Sequence, residues 1–322
     1  RVLCTPLLLS LDSNLVHAGH YSFPDSQAAV YSPANTHPFF GGRCGLDINM
    51  ELVLHHVNFW RYHMVREAEQ TLFTACSELS EGESVQWWDS QLKQGDKTLG
   101  KYWKGSYAYL DHDDLALMRE GVRSGGDDDP GPYNFQDIFA GEDAAFAFQD
   151  MELSLLPDGQ KMTWPDAFER HLRSLTPPPP SSPTSNIRTR AQKRSDAAGG
   201  TPEEIAAFKP LSFRFDGNGE DSADSFLASG WFNPLPSQQG IPGWRRLTMM
   251  KYFDLDENND VSANIDVVNI DFDALWAYEG VVLPGGKVVL GRWWSPGSSM
   301  GEGGELYSGP FVLWCVDGAE GY

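Results

Sequence analysis

One acidic segment has the spacing of a calcium-binding loop. Asp254, Asp256, Asn258 and Asp260 place side-chain oxygens at the first, third, fifth and seventh positions of a run. A short loop wraps a Ca²⁺ ion with this spacing. The twelfth position is Ile265 instead of a bidentate carboxylate, and both flanks are typical of strands. The pattern favours a solvated acidic hairpin loop, with a weak cation site as the alternative.

A second segment matches the G-x-S-x-G pattern of a hydrolase nucleophile. Ser299 is its central residue, between Gly297 and Gly301. A nucleophile of this kind needs a buried strand before the serine and a helix after it. The flanking residues, rich in Gly, Ser and Pro, instead favour a mobile loop. We therefore predict no catalytic residue here or elsewhere in the chain.

Histidines and cysteines are the remaining candidates for metal ligands. They are His17, His20, His55, His56, His63, Cys4 and Cys44. Their spacing matches no zinc module, so ordinary interface or partly buried histidines are favoured, and no cofactor is expected. Four cysteines without a C-x-x-C pair, Cys76 and Cys315 among them, are too sparse for a disulfide scaffold. They predict reduced thiols in an intracellular protein, cytoplasmic or nuclear.

Aromatic and arginine side chains form the most promising binding set. Rigid aromatic rings and arginines dominate protein recognition energies, and both types recur in the second half of the chain. The candidates for a substrate-binding groove are Trp231, Trp244, Arg245, Arg292 and Trp293. Because adjacent residues of a strand point to opposite faces, packing in a barrel core is the alternative for part of this set.

The composition limits the kinds of partner. The chain has 322 residues and a formal net charge of −21, which argues against binding to nucleic acid or to an anionic membrane surface. Its longest apolar run, residues 2–11, is about half of the ~20 residues that a membrane-spanning helix needs. The run resembles a clipped signal peptide only weakly, so we expect a piece of a longer polypeptide.

Residues 1–95 are predicted to form an irregular and helical region. Apolar side chains from Met50 to Thr74 recur at helical intervals and predict one amphipathic helix. Residues 22–42 are rich in turn formers and predict an irregular covering segment. Residues 111–121 predict a single helical turn or a loop edge.

Residues 96–322 are predicted to form an antiparallel β-barrel, interrupted by a disordered loop at 176–201. That loop holds almost no large apolar side chains. Its basic residues are favoured as solvated charges, with a nuclear-import signal as the alternative; they are Arg188, Arg190, Lys193 and Arg194. Short apolar runs at 102–110, 146–155, 211–215, 245–253, 275–283, 287–294 and 309–317 predict strands. The residues 283–287, LPGGK, predict a tight turn between two of them. The fold class is therefore mainly β with some α.

Several phrases of this barrel region are similar to a known family. They are LGKYWKGSYAYLDHDDL at 99–115, FQDMEL at 148–153, SGWFNPLPSQQGIPGWRRLTMMKYF at 229–253, LWAYEGVVLPGGKVVLGRWW at 275–294 and YSGPFVLWCVD at 307–317. About two thirds of the chain in this way resembles the region downstream of the F-box in fungal F-box proteins. A weaker likeness extends to animal F-box proteins with a substrate-binding β-barrel, in which a W-x-G-x-Y strand opens the barrel and a Y-E-G…P-G-G hairpin comes late.

The resemblance implies a substrate-recognition subunit of a cullin-type (SCF) ubiquitin ligase. Such a subunit would bind a protein substrate or degron on its barrel and would itself be non-catalytic. No F-box is recognised in these residues, so a Skp1-type adaptor is expected as a partner only if an F-box precedes Arg1. The alternative function is a divalent-cation-dependent carbohydrate-binding or hydrolytic barrel that uses the acidic loops.

Overall fold

The computed structural model describes residues 21–42, 45–69, 71–85, 99–124, 135–140, 147–157, 160–173, 212–221, 224–254, 269–300 and 305–317. The predicted loop at 176–201 and residues 255–268 of the acidic segment lie outside these ranges. The described helices are α1 (Phe23–Tyr31), α2 (Met50–Val65), α3 (Thr71–Glu78), α4 (His112–Ser124) and α5 (Asp166–His171), with a 3-10 turn at Glu67–Glu69. Within these ranges, no helix is long and apolar enough to cross a membrane.

Eight antiparallel strands close into a barrel. The described strands are β1 (Phe40–Gly41), β2 (Asp47–Ile48), β3 (Tyr102–Tyr109), β4 (Ile138–Phe139), β5 (Gln149–Leu156), β6 (Phe213–Glu220), β7 (Ser225–Pro234), β8 (Arg245–Tyr252), β9 (Trp276–Val282), β10 (Val288–Met300) and β11 (Glu305–Cys315). From β5 to β11 each strand pairs with the next, β3 pairs with β5, and β11 pairs with β3 to close the circle. The predicted fold class, an antiparallel barrel preceded by a helical region, is confirmed.

Both faces of the barrel wall are covered along β8 to β11, which explains the nearly continuous apolar runs in those strands. In β8, Leu247 and Met249 pack into the interior core, and Met250 packs on the outer face. Successive side chains of a strand point to opposite faces. Helices and loops lie against the outside, so both sets of side chains are buried.

Close packing inside the barrel requires glycine at two positions of the segment 275–294. Gly280 in β9 lies directly opposite Gly291 in β10, and a Cβ atom at either position would collide with the ring of Phe311. The predicted tight turn joins these two strands: Leu283 N–H donates to Val288 O at 2.9 Å, and Gly285 has a φ of 101°, which favours glycine.

The N-terminal helices pack on the outer face of β3 and β9–β11. Leu54, Val57, Trp60 and Met64 of α2 are buried there, as predicted. The single helix predicted from Met50 to Thr74 is wrong, because the backbone is extended at Arg66. This break turns α3 so that it also buries apolar side chains in the same core.

Two helices correct the prediction of irregular structure. Residues 22–42 contain α1, whose N-terminus is closed by a capping box in which Ser22 and Asp25 bond each other's backbone. Residues 111–121 contain most of α4, a 13-residue helix. Asp111 accepts hydrogen bonds from the backbone N–H groups of Asp113 and Asp114 at 3.0 and 2.9 Å. An acidic N-cap of this kind stabilises the first turn of a helix.

Candidate functional site on the outer wall of the barrel

The structure separates the five residues that were predicted to form one groove. Trp293 and Arg245 point into the barrel, where the Trp293 ring packs among aromatic side chains and the Arg245 guanidinium lies 5.4 Å from the Phe213 ring. Trp244 packs outside, in the core under the N-terminal helices. The predicted convergence is therefore corrected, because Trp244 and Arg245, like Arg292 and Trp293, are sequence neighbours that face opposite sides.

Trp244 and Trp293, two of the predicted binding residues, are too deeply buried to contact a partner. Trp244 and Trp293 are each 1% exposed. The indole N–H of Trp293 donates to Ala108 O at 3.1 Å, whereas that of Trp244 has no partner. Both side chains serve as core residues in this arrangement.

Trp231 and Arg292 belong instead to a row that crosses four strands on the outer face. Trp231 in β7 lies opposite Thr248 in β8, Thr248 lies opposite Glu279 in β9, and Glu279 lies opposite Arg292 in β10. We call these four residues, with Arg246, the outer-wall row. Arg246 is two residues before Thr248 and therefore shares its face of β8.

Charge is unbalanced along the outer-wall row. An Nη2 atom of Arg246 forms an ion pair with the Glu279 carboxylate, and both side chains are largely buried. Among the described residues, the hydrogen-bond acceptor of the Arg292 guanidinium is the carbonyl of His37, which both of its Nη atoms approach at 3.4 Å. Burial lowers the pKa of the Arg292 guanidinium to about 10, against the opposing effect of Glu279.

A short segment covers this row. Residues 37–40, which we call the strap, place the Phe40 ring 4.8 Å from the Arg246 guanidinium. The strap also places the Phe39 ring 4.8 Å from the His56 ring of α2. His56 is fully buried and neither ring nitrogen has a hydrogen-bond partner. Burial, followed by the charge of Arg292, holds the pKa of His56 well below its usual value.

A small pocket adjoins the strap at the N-terminus of α2. Its volume is about 80 Å³, and it is lined by Ala29, His37, Asn49, Glu51, Leu52 and His55. His37 is thus shared between the pocket and the hydrogen bonds of Arg292. The first N–H groups of a helix attract negative charge, although the exposed Glu51 carboxylate on the pocket wall opposes that effect.

A second polar group lies inside the barrel and was missed by sequence reasoning. Lys251 forms an ion pair with Asp221, and both side chains are almost fully buried. The Lys251 ammonium also lies 4.0 Å from the Phe226 ring centroid. Burial lowers the pKa of Lys251, and Asp221 opposes that shift. Thirty positions separate the two residues, so only the strand register brings them together.

The other sequence candidates do not form a catalytic or metal site within the described residues. Ser299 lies in β10 opposite Leu306 of β11, so the predicted loop is wrong, and the serine lies in a hairpin arm instead of a strand-to-helix turn. Asp254 forms an isolated bridge with Ile270; the rest of its acidic run is outside the described part.

The candidate zinc ligands have separate partners. His63 bonds Asp137 at 3.0 Å, and His55 bonds Ser26 at 3.1 Å. In the described ranges no three His, Cys, Asp or Glu side chains could hold a common ion. Cys76 and Cys315 are free thiols, and His17, His20, Cys4 and Cys44 lie outside those ranges.

Comparison of the chain with family models, with curated proteins and with solved structures gave no match. What the chain does is therefore inferred from its own residues.

Proposed function

We propose that this chain is a non-catalytic barrel that presents a protein substrate, as the substrate-recognition subunit of a cullin-type ubiquitin ligase. A subunit of this kind has to hold its client in a fixed orientation. A closed barrel suits that task, because every barrel strand is paired on both sides and the wall resists deformation.

The order of the barrel strands supports the proposal. Trp103, Gly105 and Tyr107 lie in β3, which is the first barrel strand in the chain. The phrase from Tyr278 to Gly286 forms the β9–β10 hairpin late in the barrel. These are the places that the resemblance implies for the opening strand and for the late hairpin.

The observation that carries the proposal is the composition of the outer-wall row and its strap. Trp231, Arg246 and Glu279 are partly exposed, and Phe40 is partly exposed beside them. Aromatic rings and arginines are enriched at the centres of protein interfaces. The Trp231 ring packs against the Trp164 ring, whose centroid is 4.2 Å away, and this contact restricts its motion before a client binds.

The test is capture of the ligase together with its client. The complete natural polypeptide would be purified from its own cells during proteasome inhibition, and the bound proteins would be quantified by mass spectrometry. We expect a cullin and a Skp1-type adaptor, with clients that are ubiquitinated when the purified complex receives ubiquitin and its activating and conjugating enzymes. Absence of cullin and adaptor would overturn the proposal.

Matched variants separate client binding from ligase assembly. Trp231→Ala and Arg246→Gln change the outer-wall row and should release the client while cullin and adaptor remain. Phe272→Ala, which removes an exposed aromatic ring elsewhere, should retain all three. Equal client capture by all variants would remove the row from the binding site.

A further inference from the structure

We propose that the outer-wall row binds a small oxyanion, phosphate or carboxylate, between Arg246 and Arg292 beneath the strap. This inference goes beyond the proposed function, because the site would take a free anion whether or not a client protein is present.

In the described part of the chain, several buried polar atoms without hydrogen-bond partners lie in this layer of the molecule. Buried Nε atoms of Arg246 and Arg292 and the hydroxyl of Thr248 have no partner, and the same holds for both ring nitrogens of His56. Buried polar groups without partners are uncommon in folded proteins, and each needs a physical explanation. The three strand residues lie on one face, in the strands on either side of β9 and Glu279, so a single ligand with several acceptor oxygens would satisfy donors from both β8 and β10.

The charge count favours an anion over a water molecule or a cation. Two guanidiniums share one carboxylate, since Glu279 is bonded to Arg246. Burial and the charge of Arg292 lower the pKa of His56 in α2, which disfavours the charged form of its ring. Arg119 adds further positive potential at Arg292. With one carboxylate for two guanidiniums, the row keeps an excess of buried positive charge, which is unfavourable and which an oxyanion would balance.

The shape of arginine also fits this ligand. A guanidinium presents its N–H donors in a planar fork that matches carboxylate and phosphate oxygens. Within the described ranges, this fork of Arg292 meets one carbonyl oxygen at 3.4 Å, which is beyond the usual 2.7–3.2 Å range for N–H···O bonds. The strap supplies that carbonyl, so it is the element that an entering anion would displace.

The experiment titrates the purified protein with sodium phosphate, or with sodium acetate, at constant ionic strength held by sodium chloride. Thermal unfolding and isothermal titration calorimetry would be recorded in parallel. We expect a saturable rise in Tm with at least one of the two anions, since a ligand that binds only the folded state stabilises it. The anion that gives the saturable response identifies phosphate or carboxylate as the preferred group.

Variants of the row test the charge argument. Arg292→Met should abolish the saturable response while leaving the Tm in chloride equal or higher, because it removes an uncompensated buried charge. Arg246→Met should abolish it too, since Glu279 would become available to Arg292. Glu279→Gln should bind the anion at least severalfold more tightly. Arg170→Gln, a change on the outer helix α5, should leave the response unchanged.

Two results would overturn the proposal. One is a Tm that does not change with either anion, or that rises without saturation and equally in the wild type, Arg292→Met and Arg170→Gln. General exclusion of salts from protein surfaces would produce such an unsaturable rise. The other is a Glu279→Gln protein that binds neither anion more tightly than the wild type. If Arg292→Met does not fold, Thr248→Val takes its place, and an unchanged affinity in that variant would count against the site.

Discussion

The two buried tryptophans Trp244 and Trp293 should respond differently to replacement by phenylalanine. Each is 1% exposed, so each replacement removes a similar volume from a packed core and the cavity contributions nearly cancel. The indole N–H groups differ. In Trp293→Phe the carbonyl of Ala108 loses the donor that approaches it at 3.1 Å, whereas Trp244→Phe removes an N–H that has no partner.

The difference can be given a magnitude. Leaving one partner of a buried hydrogen bond unsatisfied costs about 1–3 kcal/mol, so Trp293→Phe should lower the free energy of unfolding by about that much more than Trp244→Phe. Urea unfolding of both variants, with the slope of the transition unchanged, gives the two values. A Trp244→Phe protein that is as unstable as Trp293→Phe, or less stable, would refute the assignment of the hydrogen bond.

Three further replacements have definite expected outcomes. The folded-state pKa of His56 is lowered, so as pH falls the unfolded chain binds the proton before the folded protein does. The free energy of unfolding should therefore decrease below pH 6.5, by up to ~1.4 kcal/mol per pH unit. Thermal unfolding of His56→Gln across pH 5–7 should show a smaller loss of stability than the wild type. Gly291→Ala should destabilise the barrel because its Cβ would collide with Phe311, and chemical denaturation should show partial recovery when Phe311→Leu is added. Lys251→Met removes the cation of the buried ion pair with Asp221 and should cost about 3–5 kcal/mol, with recovery in the double variant that also carries Asp221→Leu.

The sequence predicted the barrel because its local signals agree with the final structure. Short apolar runs separated by turn residues became β3, β5, β6 and β8–β11, and LPGGK became the β9–β10 turn, whereas β7 was not predicted. The helices α1 and α4 were missed although both carry readable caps, Ser22 with Asp25 and Asp111. Their polar and turn-forming residues concealed the helical signal of the segments that follow.

The candidate site was only partly predictable, since it depends on strand register. Trp231 and Arg292 were chosen from the sequence, but their neighbours along the chain point away from the row. Thr248 and Glu279 join them through pairing across β7–β10, and His56 joins from a helix far away in sequence. Residue types alone do not predict which positions of four strands lie side by side.

The half-life of a captured client in cells reports directly on substrate recognition by the outer-wall row. Pulse-chase labelling would compare cells that carry the wild-type protein with cells that carry Trp231→Ala and Arg246→Gln together, after the Tm of the double variant has shown that it is folded. We expect a client half-life in the variant cells as long as in cells that lack the protein. A half-life equal to that in wild-type cells would contradict substrate recognition by the outer-wall row.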